Sequence, residues 1–156
     1  MSLPIKIAVQ EPDFDCGAEI RALHQGDRQA GAVASFIGLV RDLADDPLQA
    51  MELEHYPGMT ERALHQIARQ AGERWPLGRI TIIHRVGLLR PLEQIVFVGV
   101  SSVHREAAFA ACEFIMDYLK RDAPFWKKER SESGERWVAQ KDSDLAQARR
   151  WDESTD

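Results

Sequence analysis

The first hydrophobic alternation, at Ile5, Ile7 and Val9, predicts an opening strand. Asp15 stands where a cap would start a short helix carrying Ile20 and Leu23, with Gly26 at its end. Gly31 to Gly38 reads as a strand bounded by glycines, and Val40 to Leu48, which contains Asp45-Asp46-Pro47, reads as a loop. From Ala50 to His55 the chain alternates, with Met51, Leu53 and His55 on one face and Glu52 and Glu54 on the other, so a half-buried strand is expected. Tyr56 to Thr60 breaks that strand. Thr60 is a suitable cap for a helix with Leu64, Ile67, Ala68, Ala71 and Trp75 at helical spacing, stopped by Pro76-Leu77-Gly78. Ile80, Ile82, His84 and Val86 mark the next strand. Ile95 to Val100, apolar on both faces, marks a central one. Ser101-Ser102 then opens the longest helix, striped by Ala108, Ala111, Cys112, Ile115 and Leu119 and ended by Pro124. A late strand over Glu135 to Gln140 follows, and Ser143 caps a terminal helix reaching Trp151.

Strands and helices in this order make a mixed α+β fold, without the regular alternation of a parallel sheet. A chain of 156 residues suits one domain, expected over residues 1–151, with a polar tail at 152–156 that frays. At this length about two thirds of the unfolded surface is buried on folding, so the core needs neither disulfide nor metal.

Composition narrows the function classes. Apolar residues make up 44% of the chain, but the longest apolar run is far short of the roughly 20 residues of a membrane span. The N-terminus lacks the layout of a signal peptide and reads as mature sequence, which points to the cytoplasm. Cys16 and Cys112 are isolated, and the five histidines are scattered without ligand spacing, so no metal site is expected. A net charge of −5 argues against nucleic acid as a partner. The chain also lacks a phosphate loop, a dinucleotide fingerprint and a hydrolase serine elbow, and no resident cofactor is expected.

The charge is uneven. Lys120, Arg121, Lys127, Lys128 and Arg130 crowd one short stretch, against only Asp122 and Glu129. Such a run is usually a solvated surface. However, arginine occurs fifteen times and lysine five, and four of the five lysines (Lys120, Lys127, Lys128 and Lys141) lie in the C-terminal region. Lysine, unlike arginine, loses its proton when desolvated and then serves as acid, base or nucleophile. Lys120 is also explained by its place at a helix C-terminus, where positive charge suits the dipole. If the chain folds back at Pro124, Lys120 and Lys127 face one pocket, with Phe125-Trp126 as anchor or ring platform.

Two further spots have anion-binding potential. His104 and Arg105 lie in the first turn of the long helix, where unpaired amides favour an anion; the plain alternative is a cap and a surface charge. Arg41 follows Phe36-Ile37-Gly38-Leu39-Val40 and is either a phosphate clamp or an exposed strand end.

Several segments, in order, carry a resemblance: Phe36 to Arg41, Leu53 to Met59, Trp75 to Gly78, Ile83 to Gly87, Val96 to Val100, Ser102 to Arg105, Met116 to Lys120 and Pro124 to Glu129. Together they resemble the molybdopterin synthase catalytic (large) subunit family, over about Gly31 to Trp151. The resemblance implies an α/β hammerhead core with an additional antiparallel β subdomain. It also implies transfer of sulfur from the C-terminal thiocarboxylate of a small ubiquitin-like carrier subunit to cyclic pyranopterin monophosphate, giving the molybdopterin dithiolene. The implied assembly is a homodimer of large subunits within a heterotetramer. The family's two essential lysines fall on Lys120 and Lys127, and its anion-binding residues on Arg41, His104, Arg105 and Lys141. Two departures stand out: Lys141 replaces a frequent arginine and so lacks its bidentate fork, and Leu39 replaces a commonly basic or polar residue.

Overall fold

The run from Val96 to Val100 is apolar at every side-chain position because both faces of its strand are covered, the condition under which alternation disappears. The computed structural model describes residues 3–42, 48–131, 134–138 and 142–152. It places this run in β6 (Gln94–Ser102), inside a four-stranded sheet with β1 (Ile5–Gln10), β4 (Leu77–Arg85) and β2 (Ala32–Leu39), ordered β1-β4-β6-β2. β1 runs parallel to β4, and the other pairings are antiparallel. Ile80, Ile82, Val96, Val98 and Val100 pack toward α2 (Met59–Arg74) and α3 (Arg105–Asp122). Ile83 and Phe97 point the other way, onto Ile20 and Leu23 of α1 (Cys16–His24). Gly99 permits that second contact, since a Cβ there would sit 2.5 Å from Leu23 Cδ1.

A second sheet, antiparallel throughout, is ordered β5-β3-β7-β8 and built from β3 (Leu48–His55), β5 (Gly87–Leu89), β7 (Phe125–Ser131) and β8 (Gly134–Val138). It is the expected added β subdomain on a mixed α+β core. Val40, Met51, Leu53, Val86 and Leu89 join the two sheets in a small core of their own, against Val9, Ile95 and Phe125. The closing helix, α4 (Asp142–Asp152), packs on α3. Trp151 joins Trp75 and Phe114 in an edge-to-face cluster with ring centroids 5.4 to 5.6 Å apart.

Several expectations are corrected. Thr60 is not the cap of α2; the cap is Gly58, at φ 82°, and Glu61 accepts from its amide. Thr60 is buried in the first turn, where its hydroxyl accepts from Tyr56 N and donates to Pro124 O. Ser101 and Ser102 do not open α3 but end β6: Ser101 Oγ accepts from Arg79 N, and Ser102 Oγ donates to Pro76 O. The cap of α3 is His104. Leu77 and Gly78, expected only to stop α2, already belong to β4. Strands β5 and β7 were not expected. Asp152, assigned to the fraying tail, closes α4 and accepts from Tyr118 Oη at 2.6 Å. Ser143 falls inside α4 rather than before it, and residues 153–156 lie outside the described residues.

Phe114 is the most exacting core position. It touches Trp75, Tyr118 and Trp151, and the Arg74 guanidinium lies 4.8 Å from its ring centre. Phe114→Ala should cost about 3–5 kcal/mol. Chemical denaturation would read this as a lower midpoint, accompanied by loss of Trp151 fluorescence shielding.

Candidate active site

α3 runs back along the sheet from the end of β6, so its C-terminus reaches the end of the sheet where β6 begins. Lys120 stands there in the last turn, at the exposed rim, where the helix carbonyls favour a cation. The chain then turns through Ala123 and Pro124, with Phe125 N donating to Ala123 O at 2.9 Å, and enters β7. β7 pairs with β3 in a register that sets Phe125 opposite His55, Trp126 opposite Glu54 and Lys127 opposite Leu53. Strand alternation sends Phe125 and Lys127 to one face and Trp126 and Lys128 to the other. Lys120 and Lys127 therefore line a single cleft of about 410 Å³, as the fold-back at Pro124 requires.

Met51, Leu53, Ile95, Leu119 and Phe125 supply the apolar wall of the cleft. Val138 of β8 and Asp144 of α4 complete the lining. Lys127 is half-buried, with Nζ 3.8 Å from Glu129 Oε1. Lys128, one residue on, leaves the cleft; it pairs with Glu135 at 2.8 Å and lies over the Trp137 ring. Arg121 also borders the cleft, and its guanidinium bonds to Asp122 and Asp152.

One lining residue was expected only as a strand position. His84 of β4 is buried, and its ring stacks on Phe125 with centroids 3.8 Å apart and planes 20° apart. Its Nδ1 lies 2.8 Å from Arg85 O. Burial pushes its pKa down to about 4, assisted by the charges of Lys120 and His55, so the imidazole is neutral at pH 7. Periodicity could place His84 on an apolar face. It could not bring Phe125 beside it, because that contact depends on the unrecognised β7.

The remaining candidates do not all converge. Arg41 is exposed just beyond β2, at the same end of the sheet as Lys120, where Val40 N donates to Glu93 O. His104 and Arg105 are exposed at the opposite end of α3, around a second cleft with Gly31, Val103 and Glu106. His104 makes no side-chain capping bond. Lys120 lies fifteen positions after Arg105 in α3, about 22 Å along the helix. The two basic clusters of this chain therefore lie at opposite ends of α3. Lys141 lies outside the described residues.

Neither cysteine lines the cleft. Cys112 is buried against β6, where desolvation pushes its thiol up to about 12. Burial also raises the Cys16 thiol, which donates to Gln94 Oε1.

Comparison with known proteins settles the lineage. The profile of the family described as MoaE protein matches residues 9–122. The molybdopterin synthase catalytic subunit of Pseudomonas aeruginosa is 57% identical over 148 residues, 94% of this chain and 99% of that one. The corresponding subunit of Escherichia coli K12 is 52% identical over 147 residues, 94% and 97% of the two chains. The chain belongs to the MoaE family of molybdopterin synthase catalytic subunits. A solved MoaE protein from Burkholderia ambifaria superposes with a TM-score of 0.80 at 53% identity, covering 95% of this chain and 98% of that one. Molybdopterin synthase from Staphylococcus aureus gives 0.79 at 30% identity, covering 85% and 96%. The MoaE profile ends two residues beyond Lys120, so Lys127 and the β7–β8 hairpin lie past it, while the Pseudomonas relative is matched almost end to end.

The neutral His84 also sets a pH dependence for this MoaE chain. Above pH 6.5 the ring is uncharged in both folded and unfolded chains and contributes nothing. Between 6.5 and 4 the unfolded chain binds a proton that the folded one refuses, so stability is lost as the pH is lowered, by about 3 kcal/mol in total. Denaturant unfolding at pH 7.5 and 4.5 should show a larger loss for the wild type than for His84→Phe. Equal losses would contradict the buried neutral imidazole.

Proposed function

We propose that this chain is the sulfur-transferring large subunit of a cytoplasmic molybdopterin synthase. On this reading it takes sulfur from the C-terminal thiocarboxylate of a small ubiquitin-like carrier and delivers it to cyclic pyranopterin monophosphate, forming the dithiolene. The single observation that carries the proposal is the meeting of Lys120 and Lys127 on one cleft with an apolar wall. Thiocarboxylate and phosphate are both anions, and paired ammonium groups attract both in a chain that is acidic overall. Sulfur supplied in trans also suits a catalytic subunit whose cysteines are away from the cleft.

Lys120 acts at the reacting carbonyl or sulfur adduct, as proton donor or transient amine nucleophile, and Lys127 stabilises the charge that develops beside it. Arg41, at the same end of the sheet, is the candidate phosphate clamp from the same subunit. His104 and Arg105 lie too far along α3 to touch a substrate held by the lysines of their own chain. In the proposed homodimer within a heterotetramer they serve the cleft of the other large subunit. Lys141 remains the proposed late basic residue of the site.

Reconstitution with a thiocarboxylated small subunit and the cyclic pterin tests this directly. Lys120→Ala should lower dithiolene formation by at least about 100-fold while the subunits still associate. A Lys120→Ala assembly that retains full turnover, or that loses only partner binding, would remove Lys120 from the chemistry. The folded double variant Cys16→Ala/Cys112→Ala should keep its turnover; its inactivity would point instead to a persulfide on this chain.

A further inference from the structure

The lysine chemistry leaves the imidazole of His84, in the cleft wall, unused. Its backbone is fixed on both sides, because β4 pairs with β1 through Val9 opposite His84 and with β6 through Val96 opposite His84. Phe125 covers one face of the ring. The partner of Nδ1 is the carbonyl oxygen of Arg85, which can only accept, so Nδ1 carries the hydrogen. A neutral imidazole has one N–H, and Nε2 is therefore a bare acceptor. Among the described residues no fully buried side-chain nitrogen or oxygen lacks a partner, and the ring's hydrogen bond to protein is the one at Nδ1. Nε2 accordingly opens on the cleft that His84 lines.

The other polar groups of that cleft are nearly all donors. Lys120, Arg121 and Lys127 carry only N–H groups, and Asp144 on α4 is the other acceptor side chain in the lining. A pterin heterocycle presents ring and amino N–H donors as well as acceptors, and ammonium and guanidinium groups cannot receive them. We propose that His84 is a substrate-binding residue whose Nε2 accepts a hydrogen bond from an N–H of the pterin ring held between Lys120 and Lys127. This inference rests on the cleft taking the cyclic pterin, as proposed above. The charged and titratable neighbours of the ring, Lys120 and His55, both oppose its protonation, and burial does so more strongly. The acceptor therefore persists across the neutral range.

Three variants separate the acceptor from the packing role. His84→Phe retains a ring against Phe125 and has no acceptor. His84→Asn keeps a donor near Arg85 O but does not reach the place of Nε2. His84→Gln puts an amide oxygen near Nε2 and gives up the stack. In the reconstituted synthase the KM for cyclic pyranopterin monophosphate should rise about tenfold for Phe and Asn and stay within about threefold of wild type for Gln. The KM for the thiocarboxylated carrier should not change. A pterin KM unaltered in His84→Phe, equal impairment of Asn and Gln, or an effect confined to the carrier each overturns the proposal. If Phe disturbs folding, the Asn and Gln pair decides. Equilibrium dialysis of the same pterin against each purified variant gives the order independently of turnover. A wild-type assembly that binds pterin but makes no dithiolene would thus count against the sulfur-transfer reading and leave the test of His84 intact.

Discussion

β4 and β6 bury side chains on both faces: Ile80, Ile82, Val96, Val98 and Val100 toward α2 and α3, and Ile83 and Phe97 toward α1. A strand covered on two sides cannot slip by one residue without exchanging its whole apolar set between layers, so its register is rigid. That rigidity passes to α3. Ala108, Ala111, Cys112, Ile115 and Leu119 are buried in the core, which fixes the helix against the sheet and fixes where each of its ends lies. Lys120 is therefore held at one end of the molecule, His104 and Arg105 at the other, and β7 begins where α3 stops.

What the sequence revealed follows from how each element is stabilised. β1, β6 and the α3 stripe rest on apolar burial, and burial marks the sequence with a period or, where both faces are covered, an unbroken apolar run. β7 does not. Its residues Phe125-Trp126-Lys127-Lys128-Glu129-Arg130-Ser131 have little hydrophobic alternation, and it is held by backbone pairing and by charges across the ladder. Lys128 and Arg130 meet Glu135, and Arg136 meets Glu129. Such cross-strand pairs need the partner strands to be known beforehand. β5 is only three residues long and leaves no period at all. Ser101-Ser102 and Thr60 were misassigned as caps for a related reason: hydroxyls suited to a helix start also bond to passing backbone, and only the fold shows which backbone passes.

The basic stretch from Lys120 to Arg130 admitted two interpretations, solvated surface or working site, and only part of it lines the cleft. Strand alternation divides the run. Lys127 turns into the cleft with Phe125, while Lys128 turns out to Glu135 and Trp137. The clustering of the few lysines in an arginine-rich chain pointed to the region that lines the cleft but could not distinguish neighbours. His84 was hidden more deeply. Its alternation with Ile80 and Ile82 marked it correctly as buried, and its chemical character comes from Arg85 O on one side and Phe125, 41 residues later in the chain, on the other.

A net charge of −5 and a cleft with more basic than acidic side chains are compatible because the charge is unevenly distributed. Glu113 and Asp117 hold Arg150, Asp152 takes Tyr118 and Arg121, and Glu129 lies within reach of both Lys127 and Arg136. These pairs fasten α4 to α3 and β8 to β7, so that α4 and β8 can contribute Asp144 and Val138 to the cleft. At the surface each such pair is worth little on its own. Their combined effect is positional: they hold α4 and β8 in place around the lysines. The basic groups at the other end of α3 have no comparable wall. The cleft and the second basic cluster thus stand about 22 Å apart, at opposite ends of a helix whose place the core fixes.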